Sequence, residues 1–367
     1  MTDPLLREVQ RLPASGARTA EPIRIPGTDL ELLAIPQLAY DVPGQPANMN
    51  GGDSDTEVLL LRRDPEAGRY EPWGTLPAPG GEDAEFFVID GRAFLAVASI
   101  RSGKGPYAYT TDSVVFVWDG ERFTPFQTFP GFAAKQWRHF TVGDRHFLAL
   151  AQGVAVPGHE DENRRSEIHV WNGERFEYLQ DVPSQWGYNW HSFTVDGTDF
   201  LAYADHVLPS VLLRWDGERF VHHQDLAPRS GRAFATFEDA GGSYLVVACI
   251  EDTSRVLRWN GKEFEEHQEL AGSGARELTV VETPGGRYVI RVNFIQGPRT
   301  DPTTALKSQV YRWTGERLEV VEEYPTNGGT DAVVIPDGPR GPLVIQTNSL
   351  SPEVRFGTEC VVYRFTG

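Results

Sequence analysis

The chain contains apolar runs of five residues without the alternation of polar and apolar positions that half-buried strands show. Such runs are typical of strands that are covered on both faces. Four of them begin with an aromatic residue and end with alanine: Phe94–Ala98, Phe147–Ala151, Phe200–Ala204 and Tyr244–Ala248. The pattern predicts β-sheets stacked face to face, with these strands inside the stack.

A six-residue motif returns along the same part of the chain. Each copy has Trp first, Gly third and an apolar residue last, and the copies are Trp118–Phe123, Trp171–Phe176, Trp215–Phe220, Trp259–Phe264 and Trp313–Leu318. An Asp-Gly or Asn-Gly pair between apolar runs predicts a hairpin turn with positive φ at both central residues. The copies lie 44–54 residues apart, a period that is typical of propellers and solenoids.

The strand that follows each turn has a further repeated feature. In five of these strands, a glutamine lies four residues after the first apolar position of the strand: Gln10, Gln127, Gln180, Gln224 and Gln268. Glu322 and Gly74 take this place in two more strands of the same pattern. We expect the glutamines to satisfy backbone groups of a neighbouring strand or loop.

Seven such strands predict an all-β, seven-bladed β-propeller with four antiparallel strands in each blade. The last repeat stops at Gly367, after its third strand, so we expect the N-terminal strand to complete it. That closure removes exposed sheet edges that would invite aggregation. The expected organisation is one domain over residues 1–367, with the seventh blade formed by 331–367 plus 5–13.

The pattern Trp-x-Gly-x-x-Phe-x-x-x-Gln, together with runs such as Phe94–Ala98, resembles the epitempin or EAR (epilepsy-associated) repeat. The resemblance covers nearly the whole chain and implies a seven-bladed propeller. It also implies protein recognition, because the animal members use their propellers to recognise proteins outside the cell. Two places depart from the pattern: Arg63–Gly68 replaces the first turn motif, and Phe365 replaces the last Trp.

The charge balance limits the partners that we expect. The chain has 52 acidic and 34 basic residues, a formal net charge of −18. This argues against nucleic acid or an anionic membrane surface as the main partner and favours a soluble acidic protein. With no apolar run long enough to cross a bilayer and no leader-like start, the expected location is cytoplasmic, although secretion stays open if a leader has been removed. Cys249 and Cys360 suggest buried thiols rather than a disulfide framework.

The two ends of the predicted propeller differ in loop length. The first-to-second and third-to-fourth turns are short, whereas the remaining connections carry every long loop: 36–55, 101–112, 153–165, 296–307 and 349–357. Long loops on a rigid scaffold are where binding and catalytic groups concentrate. We therefore expect the functional face on the long-loop side.

The innermost strands of six blades can be aligned with one another on a matching apolar residue. The residue two positions before it is ionisable in all six: Glu85, Arg138, His191, Arg232, Arg276 and Asp331. We expect them to ring the mouth of the central channel, beside the aromatic residues Trp137, Tyr188 and Trp190. Arg138, Arg232 and Arg276 would bind a carboxylate or phosphate, and the aromatic rings would contact an apolar body. The alternative is a channel lined with solvated charges.

Three functions are compatible with this arrangement. The first is a binding module that recognises a small molecule or a protein through the long-loop face and the channel mouth. The second is a cofactor-independent lyase, isomerase or cyclase that acts on an anionic or aromatic molecule, with His191 as general acid or base and Glu85 or Asp331 as its partner. The third is carbohydrate binding by the aromatic residues.

The motifs of common cofactor sites are absent from the sequence. Asp53, Asp55 and Glu57 place carboxylates on alternate residues and are weak candidates for calcium ligands, since oxygen donors suit that ion. The remaining ligands of a calcium loop are missing, which favours a solvated acidic turn. We therefore expect no cofactor.

Overall fold

The computed structural model, which describes residues 3–367, contains seven four-stranded antiparallel sheets arranged as the blades of a propeller. In each sheet the hydrogen-bonded order runs from the strand at the central channel to the strand at the rim. Inner strands of successive blades contact one another around the channel. The predicted seven-bladed β-propeller is confirmed.

The first strand of the chain, β1 (Leu6–Ser15), belongs to the last blade, and the next strands build the blades in order. Blade one contains β2 (Glu21–Arg24), β3 (Glu31–Ile35), β4 (Glu57–Arg63) and β5 (Tyr70–Pro77). Blade two contains β6 (Gly81–Ile89), β7 (Arg92–Ser99), β8 (Asp112–Trp118) and β9 (Phe123–Pro130). Blade three contains β10 (Gln136–Val142), β11 (Arg145–Ala151), β12 (Ser166–Trp171) and β13 (Phe176–Val182). Blade four contains β14 (Gly187–Val195), β15 (Thr198–Asp205), β16 (Ser210–Trp215) and β17 (Phe220–Ala227).

Blade five contains β18 (Gly231–Asp239), β19 (Gly242–Cys249), β20 (Ser254–Trp259) and β21 (Phe264–Leu270). Blade six contains β22 (Ala275–Thr283), β23 (Gly286–Asn293), β24 (Ala305–Trp313) and β25 (Leu318–Asn327). Blade seven contains β26 (Gly329–Ile335), β27 (Leu343–Asn348) and β28 (Gly357–Phe365), followed by β1. Short 3-10 helices occupy Glu160–Glu162 and Gly338–Arg340. Among residues 3–367, no helix has the length and apolar character needed to span a membrane.

The ring is closed by a strand from the beginning of the chain. β1 pairs antiparallel with β28, from Leu6 opposite Phe365 to Ser15 opposite Gly357. The outer strand of the last blade therefore comes from the N-terminal segment, as expected. Without this pairing, β28 would present an open sheet edge.

The apolar runs lie in the second strands and are buried on both faces, which confirms their interpretation. In β7, Leu95 and Val97 belong to the apolar core shared with blade one. Phe94 and Ala96 belong instead to the core shared with blade three. Because successive side chains of a strand point to opposite faces, one run supplies two inter-blade cores.

The hairpin tips are confirmed, but the turn between the third and fourth strands differs from the predicted two-residue type. The Asp119 carboxylate accepts hydrogen bonds from the backbone N–H groups of Glu121 and Arg122, both at 2.9 Å. Only the glycine of this turn has positive φ, 108° at Gly120. A turn with positive φ at both central residues occurs instead between the first and second strands, at Asp90 (50°) and Gly91 (76°).

The five repeated glutamines clamp their blades to the next blade, as expected. Gln180 in blade three accepts a hydrogen bond from the Phe220 N–H (2.7 Å) and donates one to the Phe220 carbonyl (3.0 Å) in blade four. Gln10, Gln127, Gln224 and Gln268 make the same pair of bonds with the corresponding residue of the following blade. Blade one, with Gly74 at this place, has no such side chain.

The loops at the long-loop face are joined by backbone hydrogen bonds between neighbouring blades. The Gly80 N–H, just before blade two, donates to the Ser54 carbonyl of blade one (2.7 Å), and the Gly274 N–H, just before blade six, donates to the Ile250 carbonyl of blade five (2.7 Å). Gly80 has φ of 53°, and a Cβ there would lie 2.3 Å from the Arg101 carbonyl oxygen. The ends of the long loops are therefore held in place by the blades.

Gln180→Ala tests the glutamine clamp. The substitution leaves the Phe220 N–H and carbonyl without their side-chain partner, so we expect the free energy of unfolding to fall by about 1–3 kcal/mol. Urea unfolding followed by circular dichroism measures the change. Gln185→Ala, at an exposed position in the loop before β14, is the matched control and should leave stability unchanged. Equal effects of the two substitutions would contradict the clamp.

Candidate functional site

A cavity of about 310 Å³ lies on the long-loop side of the axis, and we call it the mouth cavity. Six blades or their adjoining segments supply one residue each to its deeper wall: Arg18, Glu82, Lys135, Tyr188, Arg232 and Arg276. Arg101 and Arg299 add two more cations from the loops. Among the described residues, six basic side chains and a single carboxylate, that of Glu82, thus line the cavity. This is a local reversal of the charge of an acidic protein.

The Glu82 carboxylate is fully buried beneath these cations. Its oxygens lie 3.0 Å from Lys135 Nζ, 3.5 Å from Arg18 Nε and 3.7 Å from an Arg276 Nη atom. Burial alone would raise the pKa of Glu82, but the three cations outweigh it and lower the pKa to about 2. Glu82 is therefore ionised at neutral pH. Its carboxylate links blade two to blades one, three and six through Arg18, Lys135 and Arg276.

This network leaves buried polar atoms without partners. Arg276 Nη1, Arg18 Nε and Glu82 Oε2 are buried and make no hydrogen bond within residues 3–367. A buried, unpaired charged group costs more than an ordinary lost hydrogen bond. Arg276 lines the mouth cavity, so an anion in the cavity would give its free donor a partner.

Tyr188 packs against Arg232 and against two of the cations that are paired with Glu82. The Arg232 guanidinium lies 3.8 Å from the centre of the Tyr188 ring, with Arg276 at 4.9 Å and Lys135 Nζ at 5.5 Å. Burial raises the pKa of Tyr188, but Arg232, Lys135, Arg299 and Arg276 outweigh it and bring the pKa down to about 7. Arg232 is only 1% exposed, and burial lowers its pKa to about 10.

The cations at the mouth are not equivalent. Arg101 donates to Ser54 Oγ and to the carbonyls of Asn50 and Gly51, and its guanidinium stacks on Tyr107. Its donors are thus used to hold the long loop of blade one. Arg276 has a free donor, which makes it the better candidate for contact with a ligand.

The outer wall of the mouth cavity is apolar. It belongs to a cluster built from the second-to-third loops of several blades, and its cavity-lining members are Leu38, Met49, Ile100, Val154, Ile250, Phe294 and Ile295. Trp186 also lines this wall, with the Arg299 guanidinium 4.1 Å from its ring centre. A cationic floor and an apolar wall together suit a small molecule with an acidic group and an apolar body.

β-Bulges place the charged residues at the mouth. In β18, Gly231 pairs with Cys249 and Ala233 with Ala248, so Arg232 is the extra residue. Arg276 has the same place in β22, and Glu82 has it in β6. A bulge leaves its extra residue outside the ladder and re-aims it, a device common beside functional sites.

A second cavity of about 350 Å³, the channel cavity, lies among the inner strands and is acidic. Its carboxylates satisfy backbone N–H groups of the next blade. Asp83 accepts from the Trp137 N–H (2.8 Å), and Glu85 accepts from the His139 N–H (2.9 Å). Asp331 accepts from the Ala20 N–H at 3.1 Å, across the junction between blades seven and one. These acids therefore have a structural task.

Burial makes the channel carboxylates reluctant to ionise. It raises the pKa of Glu277 to about 8, with the charge of Asp331 adding to the effect. Burial also raises the pKa of Asp331, to about 6, and moves those of Glu21 and Asp83 well above their usual ranges. Part of the channel is thus protonated at neutral pH.

The nine residues expected at the mouth separate into three groups. Tyr188, Arg232 and Arg276 meet in the mouth cavity, as expected. Glu85, Arg138, His191 and Asp331 line the channel cavity instead. Trp137 and Trp190 are buried in inter-blade cores, so the expectation that they flank the mouth is corrected.

The alignment behind that expectation fails in blades five to seven. Phe87 pairs with Phe94 in blade two, but the corresponding pairs are Phe237 with Tyr244 in blade five and Val281 with Tyr288 in blade six. The apolar residues used for the alignment, Phe234 and Leu278, lie three positions earlier. Arg232 and Arg276 consequently sit nearer the mouth than Glu85 or His191.

The candidate catalytic residues are bonded elsewhere. His191 Nε2 lies 3.0 Å from Thr236 Oγ1, while the Glu85 carboxylate lies 3.4 Å from Arg138. Burial and the Arg138 charge lower the pKa of His191 to about 3, so the imidazole is neutral at neutral pH. Neither Glu85 nor Asp331 forms the partner bond to His191 that acid–base catalysis would use.

The acidic segment proposed for calcium is engaged within its own loops. Asp53 pairs with Lys104 at 2.9 Å and accepts from the Asp55 N–H, while Asp55 accepts from the Gly103 N–H. Glu57 begins β4 with an exposed side chain. Within residues 3–367, no three His, Cys, Asp or Glu side chains are grouped as metal ligands.

Sequence reasoning missed Arg18, Glu82, Lys135 and the loop residues Arg101 and Arg299. A usable signal exists for the deeper wall, because a Gly or Ala directly precedes each of its six residues, in Ala17-Arg18, Gly81-Glu82, Ala134-Lys135, Gly187-Tyr188, Gly231-Arg232 and Ala275-Arg276. The small residue is needed where packing is closest. A Cβ at Gly231 would lie 2.0 Å from Ser210 Oγ, and one at Gly187 would lie 2.3 Å from the Tyr203 hydroxyl.

Comparison with known proteins identifies the repeat. The model of the EPTP domain matches four segments, 70–119, 122–161, 175–216 and 219–260. Each segment starts at or near an outer strand, such as β5, and so the repeat in sequence is offset by one strand from the blade.

The curated relatives also carry this repeat. The human thrombospondin-type laminin G domain and EAR repeat-containing protein is 34% identical over 96 residues, which is 26% of this chain and 14% of the relative. The mouse protein of the same name is 30% identical over 125 residues, or 33% of this chain and 17% of the relative. The matches thus span under a fifth of these relatives. The predicted resemblance to EAR-repeat proteins is confirmed.

A solved structure shares the fold. A chain in the crystal structure of BBS1N in complex with ARL6DN aligns over 100% of this chain and 98% of its own length, with a TM-score of 0.62. The sequence identity is 11%, so the likeness concerns the fold alone.

Glu82→Gln tests the buried charge network. The substitution leaves Arg18, Lys135 and Arg276 without their counter-ion, so we expect a loss of about 3–5 kcal/mol in the free energy of unfolding. Because the pKa of Glu82 is lowered, its contribution is complete above about pH 4.5 and disappears as the pH falls towards about 2. Urea unfolding between about pH 3 and 7 measures both effects. Glu121→Gln, in an exposed turn, should change little.

Glu277→Gln should increase the free energy of unfolding, whereas Glu82→Gln should decrease it. The folded-state pKa of Glu277 is raised to about 8, so its ionisation weakens the fold as the pH rises from about 4.5 through 8. An amide oxygen can still accept the hydrogen bond from Asn189. We expect a gain on the order of 1 kcal/mol at about pH 8.5 and little change at about pH 5. Thermal unfolding at both pH values is the measurement, and a loss of stability at the higher value would contradict the assignment.

Proposed function

We propose that this seven-bladed propeller of the EPTP (EAR) repeat family is a binding module whose mouth cavity binds a small amphipathic anion. The observation that carries the proposal is the mouth cavity itself, whose described lining contains six basic side chains and one carboxylate in a chain of net charge −18. Solvated channel charges would not concentrate cations in this way. The EPTP propeller fold is consistent with a binding role.

The acidic group of the ligand would lie against Arg276, whose Nη1 lacks a partner within residues 3–367. Arg232 and Lys135 are close enough to Tyr188 to act on the same ligand. Charge-assisted hydrogen bonds of this kind are among the stronger polar contacts in proteins. Carboxylates, sulfonates and phosphates share the required chemistry.

The apolar body would contact the rim formed by Ile100, Ile250 and Phe294, on loops held by backbone bonds between blades. A cavity of about 310 Å³ is at the lower end of the usual range for small-molecule sites. It suits a ligand with a short chain or a single ring rather than a polysaccharide.

Binding has better support than catalysis. The residues considered for acid–base chemistry line the channel cavity and are bonded to the scaffold, as the His191 contact with Thr236 illustrates. In the mouth cavity the charged and phenolic groups are six cations, the Glu82 carboxylate, Tyr109 and Tyr188, and the cations can bind an anion without a cofactor. An enzymatic role for the channel thus has weaker support.

Calorimetric titration with 1-octanesulfonate tests the proposal, because this probe stays ionised and carries an apolar chain. We expect it to bind more tightly than 1-octanol, which lacks the charge, and than inorganic sulfate, which lacks the apolar chain. Equal binding of 1-octanol and 1-octanesulfonate would refute the role of the cations.

Arg276→Gln locates the site. Losing one charge-assisted contact of about 1.5–3 kcal/mol should weaken 1-octanesulfonate binding by about ten- to a hundredfold. Arg122→Gln, at an exposed turn on the opposite face, is the control and should leave the affinity unchanged. Equal affinity of the Arg276 variant and the unaltered protein would place the anion elsewhere.

A further inference from the structure

Tyr188 lies where an incoming anion would have to share cations with it. It is 8% exposed and lines the mouth cavity. The nearest charge, Arg232, packs on the ring face at 3.8 Å. A phenolate at Tyr188 and a bound anion would therefore be stabilised by the same side chains.

Within residues 3–367, the Arg232 guanidinium forms no ion pair with a carboxylate. Its guanidinium donates to the Gly231 carbonyl (2.8 Å) and lies 3.1 Å from His206 Nδ1. Burial, with the charges of Arg232, Arg299 and Arg229, lowers the pKa of His206 to about 3, so that ring is neutral near pH 7. In the free protein the phenolate of Tyr188 can thus serve as the internal counter-ion of Arg232.

The groups around Tyr188 come from several elements and are mostly positive. Lys135 precedes β10, Arg276 lies in β22, and Arg299 contacts Trp186, whose ring stacks near Tyr188 at 6.4 Å. On the negative side, Glu82 is occupied by Lys135, Arg18 and Arg276. Glu251 lies 3.7 Å from His206 and is largely exposed.

We propose that the mouth cavity binds its anion together with a proton, which Tyr188 takes up. The inference rests on the proposed anion site and specifies how that site responds to pH. In the free site, Tyr188 in its phenolate form balances the cations. The entering anion takes over that role, a proton from solvent adds to the phenolate oxygen, and Tyr188 becomes a neutral phenol.

The direction of the pH dependence follows from this exchange. The pKa of Tyr188 in the free protein is brought to about 7 by the four surrounding cations, and an added negative charge raises it. At a pH between the pKa of Tyr188 in the free protein and its higher pKa in the complex, binding takes up as much as about one proton. Affinity is therefore highest below about pH 7 and falls by up to about tenfold per pH unit above it.

The experiment is calorimetric titration of 1-octanesulfonate at about pH 7.5 in two amine buffers with different enthalpies of ionisation, triethanolamine and Tris, neither of which supplies a competing buffer anion. The sulfonate does not titrate, so any proton taken up belongs to the protein. We expect an uptake of about half a proton to one proton per site. In parallel, the phenolate absorbance near 295 nm should fall as the probe binds, and this measurement needs no variant.

Tyr188→Phe should still bind the probe but without proton uptake and with affinity nearly independent of pH between about 6.5 and 9. Tyr178→Phe, at a tyrosine that is 59% exposed on an outer strand, is the matched control and should keep the uptake. Circular dichroism verifies that both variants are folded.

The failures of the two proposals are distinguishable. Binding of the probe to the unaltered protein without proton uptake or loss of phenolate absorbance overturns the proton coupling and leaves the anion site standing. No binding at any pH overturns the anion site. Uptake that persists in Tyr188→Phe assigns the proton to another group and also overturns the role of Tyr188.

Discussion

The ion cluster around Glu82 is the interaction on which the mouth depends. Its carboxylate brings together Lys135, Arg18 and Arg276, which come from blades three, one and six, while Glu82 itself belongs to blade two. A ring of seven blades forces its inner strands to converge, and cations on several of them would repel one another at this distance. The buried carboxylate makes the cationic mouth compatible with a closed ring, yet leaves it with an excess of positive charge.

Below the mouth, the acidity of the channel follows from a backbone requirement. An inner strand has an edge that faces the axis, and its N–H groups need acceptors there because buried donors are rarely left unpaired. Asp83, Glu85 and Asp331 supply acceptors to the following blade. Because this places carboxylates close together out of water, their pKa values rise, as for Glu277. The opposite charges of mouth and channel thus have separate origins.

Local patterns predicted the scaffold well, because turns, buried strands and clamps depend on residues near in sequence or repeated at fixed spacing. Gln180 and the pairing of β1 with β28 are examples. The site was harder to predict because an inner strand has several apolar residues that could serve for its alignment, and an error of three positions exchanges channel residues for mouth residues. In blade five, both Phe234 and Phe237 fit the apolar pattern, and only pairing with Tyr244 distinguishes them. The small residue before Arg232 marks the bulge, but its meaning depends on a contact with distant Ser210.

Residue type and location alone do not define a binding group, as two arginines of the same cavity show. Arg101 is surrounded by carbonyl and hydroxyl acceptors of the blade-one loop, so its guanidinium would have to give up several bonds to reach a ligand. Arg276 keeps a donor free, and Arg232 packs on the ring of Tyr188. Counting cations would suggest a highly charged ligand, whereas counting free donors favours a single acidic group. Acidic groups of equal charge interact equally well with the cations of the cavity floor. The apolar rim therefore determines which acids fit the cavity.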